Sequence, residues 1–201
     1  MKLNRIERIA MNNPVRAAHQ HHREAAWFQR LAGGTLRGQH VLEVGCGRGV
    51  GVEVLLDRLD AARVTAFDLD PAMIERAERR LHGRTGAVQL SVGDACGIEQ
   101  ADASMDAVVE FGVIHHVPTW RAAIAEIARV LRPGGLLLFE DVPRHTLDTW
   151  LFRTFTVHPR EDRFEAEEFA DELGRHGLLP AAGPESHVFG NVFAGAARKA
   201  A

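Results

Sequence analysis

The stretch Glu43-Val44-Gly45-Cys46-Gly47-Arg48-Gly49-Val50-Gly51 sets a carboxylate two residues ahead of a run of alternating glycines. Glycine there lets the backbone take positive φ angles and approach a ligand with no side chain in the way. A helix beginning just beyond the turn offers free N–H groups and a positive end. Two ligand classes use such a turn, dinucleotides and S-adenosylmethionine (SAM). The dinucleotide pattern is G-x-G-x-x-G. Counted from Gly45, its third glycine falls on Val50, so that pattern fails. An acid at the strand end repels a pyrophosphate and suits the ammonium end of a methionine moiety. Asp68 follows Gly45 by 23 positions, close to where a carboxylate meets a ribose diol in Rossmann-like sheets. Carboxylate oxygens accept both ribose hydroxyls at once.

A second set of polar residues is His115, His116, Glu140, Asp141, Arg144 and His145. His115 and His116 are the candidates for acid–base work, since an imidazole titrates near neutrality. One of the pair holding a backbone carbonyl is an equal alternative. His19, His21 and His22 fall on one predicted helix, with His19 and His22 sharing a face. A metal site there needs a third ligand that the sequence does not identify, so no metal ion is expected. Trp27, Phe28, Trp150, Phe152 and Phe155 suit either an apolar acceptor pocket or, as helix aromatics more often do, the core. Arg144, Arg153, His158 and Arg160 suit an anionic acceptor, although a solvated surface accounts for most such residues. With no tyrosine in the chain, a phenol is excluded from the chemistry.

The elements that must position these residues are read from periodicity. Residues 14–31 form a predicted helix capped by Asn13, with Pro14 in its first turn and Gly33-Gly34 ending it. Strands are expected at 41–44, 63–67, 88–92, 107–111 and 135–142, separated by helices with apolar faces. Asp70 caps and Pro71 opens the helix after the second strand. Arg132-Pro133-Gly134-Gly135 stops the helix of residues 119–131. A helical insert around 145–153, a helix at 165–176 and two weak strands at 185–189 and 192–196 complete the chain. This alternation predicts an α/β fold with a mostly parallel sheet and helices on both faces.

Length and composition bound the function. The chain has 201 residues, with 46% hydrophobic and 25% charged, the size and balance of one globular domain. A net charge of -3 lacks the basic footprint of a nucleic-acid binder. Two cysteines, Cys46 and Cys96, without metal-like spacing point to a reducing compartment. No signal peptide and no membrane-length apolar run are read, so a cytoplasmic protein is expected.

These residues bear a family resemblance. The chain resembles class I SAM-dependent methyltransferases, in particular the small-molecule group that includes the ubiquinone/menaquinone-biosynthesis type, from about Gln39 to Val142. Glu43 to Gly49 is similar to the family's E/D-x-G-x-G-x-G motif. Asp68 and Leu69 match its ribose-binding acid and adenine neighbour, and Gly93-Asp94-Ala95 its adenine stretch. Met105-Asp106-Ala107-Val108-Val109-Glu110-Phe111 matches its fourth-strand motif, and Leu131-Arg132-Pro133-Gly134-Gly135 its L-x-P-G-G turn. The resemblance implies a Rossmann-like seven-stranded sheet whose last pair includes a reversed strand. It implies one domain: a helical lid at 1–36, a SAM core at 39–142 and acceptor-side elements at 143–201. It implies that Glu43, Gly45, Cys46, Gly47, Asp68, Leu69, Asp94, Ala95 and Glu110 hold SAM, with S-adenosylhomocysteine as product. His115 and His116 would stand near the methyl. The acceptor is expected to be a small molecule, and the protein a monomer or homodimer that binds no nucleic acid. Phe111-Gly112-Val113-Ile114 replaces the asparagine-proline-proline-aromatic motif of enzymes that methylate amino groups on bases or glutamine. A SAM-binding sensor or partner subunit, a nucleic-acid methyltransferase and an NAD-dependent dehydrogenase are the alternatives.

Overall fold

The strands are β1 (His40–Val44), β2 (Arg63–Asp68), β3 (Val88–Val92), β4 (Met105–Phe111), β5 (Leu131–Asp141), β6 (Leu178–His187) and β7 (Val192–Lys199). The helices are α1 (Pro14–His19), α2 (Ala25–Ala32), α3 (Val50–Asp57), α4 (Pro71–Arg80), α5 (Trp120–Val130), α6 (Arg144–Leu147) and α7 (Ala166–Arg175). They come from a computed structural model that describes residues 14–150, 154 and 158–201. Asn13, Phe152, Arg153 and Phe155 lie outside the described residues. Among the described residues, seven strands make one sheet in the order β3-β2-β1-β4-β5-β7-β6. β1 pairs in parallel with both β2 and β4, and β7 runs antiparallel between β5 and β6.

Side chains of a strand point alternately to the two faces. Val41, Val109 and Leu138 pack into one core with Phe28 of α2, Val52 and Leu55 of α3 and Ile74 of α4. Leu42, Val108 and Leu137 pack into the other with Trp120, Ile124 and Ile127 of α5 and Phe169 and Leu173 of α7. Continuous apolar runs in β1, β4 and β5 are therefore what a sheet covered on both faces requires. From β1 the chain winds outward through β2 and β3, then returns to lay β4 on the other side of β1. The order reverses there, and the crevice beyond the carboxyl ends of β1 and β4 is where open α/β sheets hold ligands.

Local chemistry sets the boundaries. The Asp70 side chain accepts from the Ala72 N–H at the start of α4, and Pro71 occupies its first position. Gly33 ends α2 in the left-handed conformation. Between α1 and α2 a π turn (Gln20–Glu24) turns both Gln20 and Glu24 inward, where they are buried. Such wide turns are concentrated at functional sites.

The structure departs from the sequence reading in two elements. β5 begins at Leu131 rather than Gly135, because the Pro-Gly-Gly segment forms a bulge within the strand. Pairing with β4 shifts register between Met105 and Ala107. β6 begins at Leu178 rather than Glu185. The part before Glu185 contains Pro180, Gly183 and Pro184, poor strand formers that an edge strand tolerates, and the register shifts twice against β7. Among the described residues, no helix is long and apolar enough to cross a membrane.

Candidate functional site

A cavity of about 290 Å³ opens at the carboxyl ends of β1, β2, β3 and β4. Glu43, Gly45, Cys46, Gly47, Asp68, Leu69, Asp94, Ala95 and His116 all line it. Glu43 stands on β1 at 2% exposure and packs against the first turn of α3. A Cβ added to Gly51 would lie 2.0 Å from Glu43 Oε1, so glycine is required for this contact. The backbone at Gly45 has φ +67°, and a Cβ there would lie 2.6 Å from Val113 Cγ1. The glycine turn thus stays thin at the cavity wall and lets the loop after β4 close over it.

Asp68 ends β2. Its Oδ2 accepts from the Gly47 N–H at 2.9 Å and its Oδ1 from the Asp70 N–H at 2.8 Å. It thereby ties the glycine turn to β2, and each oxygen keeps a lone pair for a ligand hydroxyl. Burial raises its pKa, partly offset by those two N–H groups. Burial, with the Asp68 charge adding to it, pushes the Glu43 carboxyl well above the usual carboxylate range. Glu43 Oε2 is buried without a hydrogen-bond partner among the described residues. A buried carboxylate without a partner is costly, and a cationic ligand group beside it removes the cost. Asp94 accepts from the Cys96 N–H at 2.9 Å, which shapes the turn beside Ala95. Leu69 is an apolar side chain left 40% exposed on the cavity wall. An acid for an ammonium, an acid for a diol and an apolar ledge fit SAM.

A profile described as "Methyltransferase domain" matches residues 42–139. The chain is 39% identical over 116 residues to phthiotriol/phenolphthiotriol dimycocerosates methyltransferase 1 of Mycobacterium ulcerans, covering 57% of this chain and 42% of that one. It is 37% identical over 116 residues to the fatty-acid O-methyltransferase of Mycolicibacterium smegmatis, with the same coverage of 57% and 42%. It thus spans less than half the length of these curated relatives. A solved SAM-dependent methyltransferase of Aquifex aeolicus superposes with a TM-score of 0.74 at 18% identity, covering 98% of this chain and 99% of that one. Residues 42–139 match the methyltransferase-domain family, and the whole chain shares the fold of the solved SAM-dependent methyltransferase. None of these matches singles out the ubiquinone/menaquinone grouping.

Two of the residues expected beside SAM, Glu110 and His115, stand elsewhere. Glu110 does not line the cavity. Its Oε2 accepts from the Val113 N–H at 2.9 Å and holds the turn after β4. Burial with the neighbouring Asp141 charge pushes its pKa well up. His115 does not line the cavity either. It faces a small hollow with Trp120, Leu147 and Phe164, and its Nδ1 is hydrogen-bonded to Asp141 Oδ1. Its backbone N–H donates to Asp141 Oδ2 at 3.2 Å. His116, the next residue of the 3₁₀ turn Ile114–His116, faces the cavity instead. Burial, together with repulsion from His115 and His158, holds the His116 pKa well below its ordinary value.

The structure also brings in residues the sequence reading passed over. Arg16 of α1 and Gln20 of the π turn line the cavity, as does Met73 of α4. The spacing Arg16, Gln20, Glu24 is the signal that was there to find. Arg16 is paired with buried Glu24 and stands 4.0 Å from Glu140. The helix histidines point elsewhere: His19 lies 3.7 Å from Glu24, His21 lies 3.4 Å from Glu53, and His22 is exposed. Phe28 is core, stacked on Phe111 at 4.8 Å, and Trp27 packs edge-on against His187. Trp150 is 74% exposed. Arg144 pairs with Glu165 and Glu168, and His145 bridges Glu165 and the Gly190 carbonyl, so neither faces the cavity.

Proposed function

We propose that this protein binds SAM in the cavity and transfers its methyl group to a small-molecule acceptor, with lipid hydroxyls and carboxylates the first class to examine. The observation that carries this is the buried Glu43 Oε2, without a hydrogen-bond partner, on the wall of the cavity that Asp68 also lines. The two curated relatives act, by name, on phthiotriol/phenolphthiotriol dimycocerosates and on fatty acids.

Glu43 holds the ammonium end of the methionine moiety, and the Gly45-Cys46-Gly47 backbone lets it approach. Asp68 accepts the ribose hydroxyls. Leu69, Asp94 and Ala95 flank the adenine. SAM supplies a methyl group already activated on a sulfonium. The protein's work is therefore alignment of the acceptor and exclusion of water. A base is required only for an acceptor protonated at working pH. His116 is the polar side chain on the acceptor side of the cavity. With its pKa held low by burial, it serves as an orienting hydrogen-bonding group rather than a strong base. A carboxylate acceptor needs no base at all. Of the expected lid at 1–36, the described residues 14–36 support the reading, with Arg16 and Gln20 on the cavity wall.

The test is calorimetric titration with SAM, S-adenosylhomocysteine and NAD, followed by turnover with fatty acids, lipid alcohols, thiols and amines. SAM and its product bind, NAD does not, and Asp68→Ala loses most of the binding. Folded, ligand-free protein that binds neither SAM nor its product overturns the reading. Binding with no turnover on any acceptor class moves it to a SAM-binding sensor or partner subunit.

A further inference from the structure

Three imidazoles converge beside the cavity. His115 and His116 come from the turn after β4, and His158 from the segment leading into α7. The ring centroids of His115 and His116 are 4.1 Å apart, those of His116 and His158 are 4.5 Å apart, and those of His115 and His158 are 5.2 Å apart. Each ring offers a nitrogen, and these nitrogens all lie within 4.8 Å of one another. All three residues are partly buried.

The surroundings complete a binding site. Asp141 is fully buried and accepts from His115 Nδ1, which fixes the tautomer and leaves Nε2 as the donor atom toward an ion. A carboxylate behind a ligating histidine is the usual orienting partner in metal sites. Glu110 and Glu140 are also buried close enough to Asp141 for the charges to repel. A dication in front of Asp141 offsets the charge of that buried carboxylate. Arg163, the cation whose charge reaches His158, is itself held by Asp148 at 2.5 Å.

We propose that His115, His116 and His158 bind a divalent borderline transition-metal ion of the zinc type, with Asp141 orienting His115. Three imidazole nitrogens select zinc, cobalt, nickel or copper over magnesium and calcium, which prefer oxygen. Zinc bonds imidazole nitrogen at about 2.0–2.1 Å, so binding requires these nitrogens to draw together. The fourth position opens toward the cavity, because His116 lines both. There the ion takes an acceptor oxygen and makes it more acidic, supplying the activation that no free base provides. This last role rests on the methyl-transfer reading, whereas the ion site does not.

The experiment uses the full chain, stripped with a chelator, dialysed and titrated with cobalt(II) and then zinc(II), followed by calorimetry and visible absorption. One equivalent of cobalt is expected, with the intense ligand-field bands of a four- or five-coordinate site, displaced by zinc. His158→Gln is expected to weaken binding roughly 100-fold or more, and Asp141→Asn roughly 10–100-fold. A triple variant, His19→Ala, His21→Ala and His22→Ala, is expected to bind as the parent does. Histidine modification by diethyl pyrocarbonate, mapped by mass spectrometry on the unaltered protein, needs no variant to fold. Zinc is expected to protect His158 and the His115-His116 pair. Folded protein that binds no cobalt overturns the proposal. So does binding that survives His158→Gln, that vanishes in the triple variant, or that protects only the N-terminal histidines. A SAM titration on the same sample separates the two readings, because cobalt binding without SAM binding removes methyl transfer and leaves the ion site standing.

Discussion

In the proposed reading, burial makes the ordinary carboxylate of Glu43 into a cation receptor. Burial and the Asp68 charge raise the pKa of its carboxyl well above the usual carboxylate range. A bound ammonium favours the ionised form, so binding SAM expels a proton from Glu43. Affinity for SAM therefore rises with pH until the raised pKa is passed. Calorimetry in buffers of different ionisation enthalpy should report that proton release, and Glu43→Gln should abolish it while weakening binding roughly 10–100-fold, the value of one charge-assisted hydrogen bond. Affinity that does not change with pH would remove Glu43 from the role. Gly51 belongs to the same contact. Gly51→Ala puts a methyl group where Glu43 Oε1 stands, 2.0 Å away. It should cost about 1–3 kcal/mol of stability as an overpacked core and lose SAM affinity together with it, by chemical denaturation and titration.

The N-terminal helix carries the second pH effect, one of stability. Arg16 faces Glu24 and Glu140, and Glu140 is buried with its pKa raised to about 8 by burial and the Glu24 charge. The folded state then holds a proton that the unfolded chain releases near its ordinary value of 4.5. Stability contributed by this group is complete below that ordinary value and falls as pH rises toward about 8. Glu140→Gln should flatten the fall in melting temperature across this window, and a slope unchanged by the substitution would refute the assignment. The sequence told part of this. Periodicity gave the helix, and Pro14 and Gly33 gave its limits, but the π turn leaves no signature in periodicity and sends Gln20 and Glu24 inward. The capped start of α4 was legible because Asp70 and Pro71 act on their own backbone. The part of β6 before Glu185 was not, because its prolines and glycine are acceptable only at a sheet edge, and edge position is a property of the whole fold.

For the whole molecule, what the sequence made visible is whatever the chain does within one strand–turn–helix unit. The glycine turn, Glu43 and Asp68 were readable because parallel-sheet topology fixes where successive strand ends meet. His115 and His116 were readable as residues but not as directions, since one position of rotation in a 3₁₀ turn decides which of them faces the cavity. His158 could not be joined to them, because 42 positions separate it from His116 and no local period spans that distance. The same topology makes ligand binding a global test. The cavity is walled by the ends of β1, β2, β3 and β4 and by α1, so a ligand held there, as proposed for SAM, contacts only the assembled fold. A ligand that binds the native state alone adds about 2.7 kcal/mol of stability at 100 times its Kd. For a chain of this size that corresponds to a rise of roughly 5–11 °C in the melting temperature. SAM and S-adenosylhomocysteine should both produce it and NAD should not. Asp68→Ala should lose most of the shift, because it removes the diol acceptor and also the clamp on Gly47 that keeps the turn in place. Equal shifts in the parent and the Asp68→Ala protein would mean that SAM sits elsewhere than in the crevice between β1 and β4.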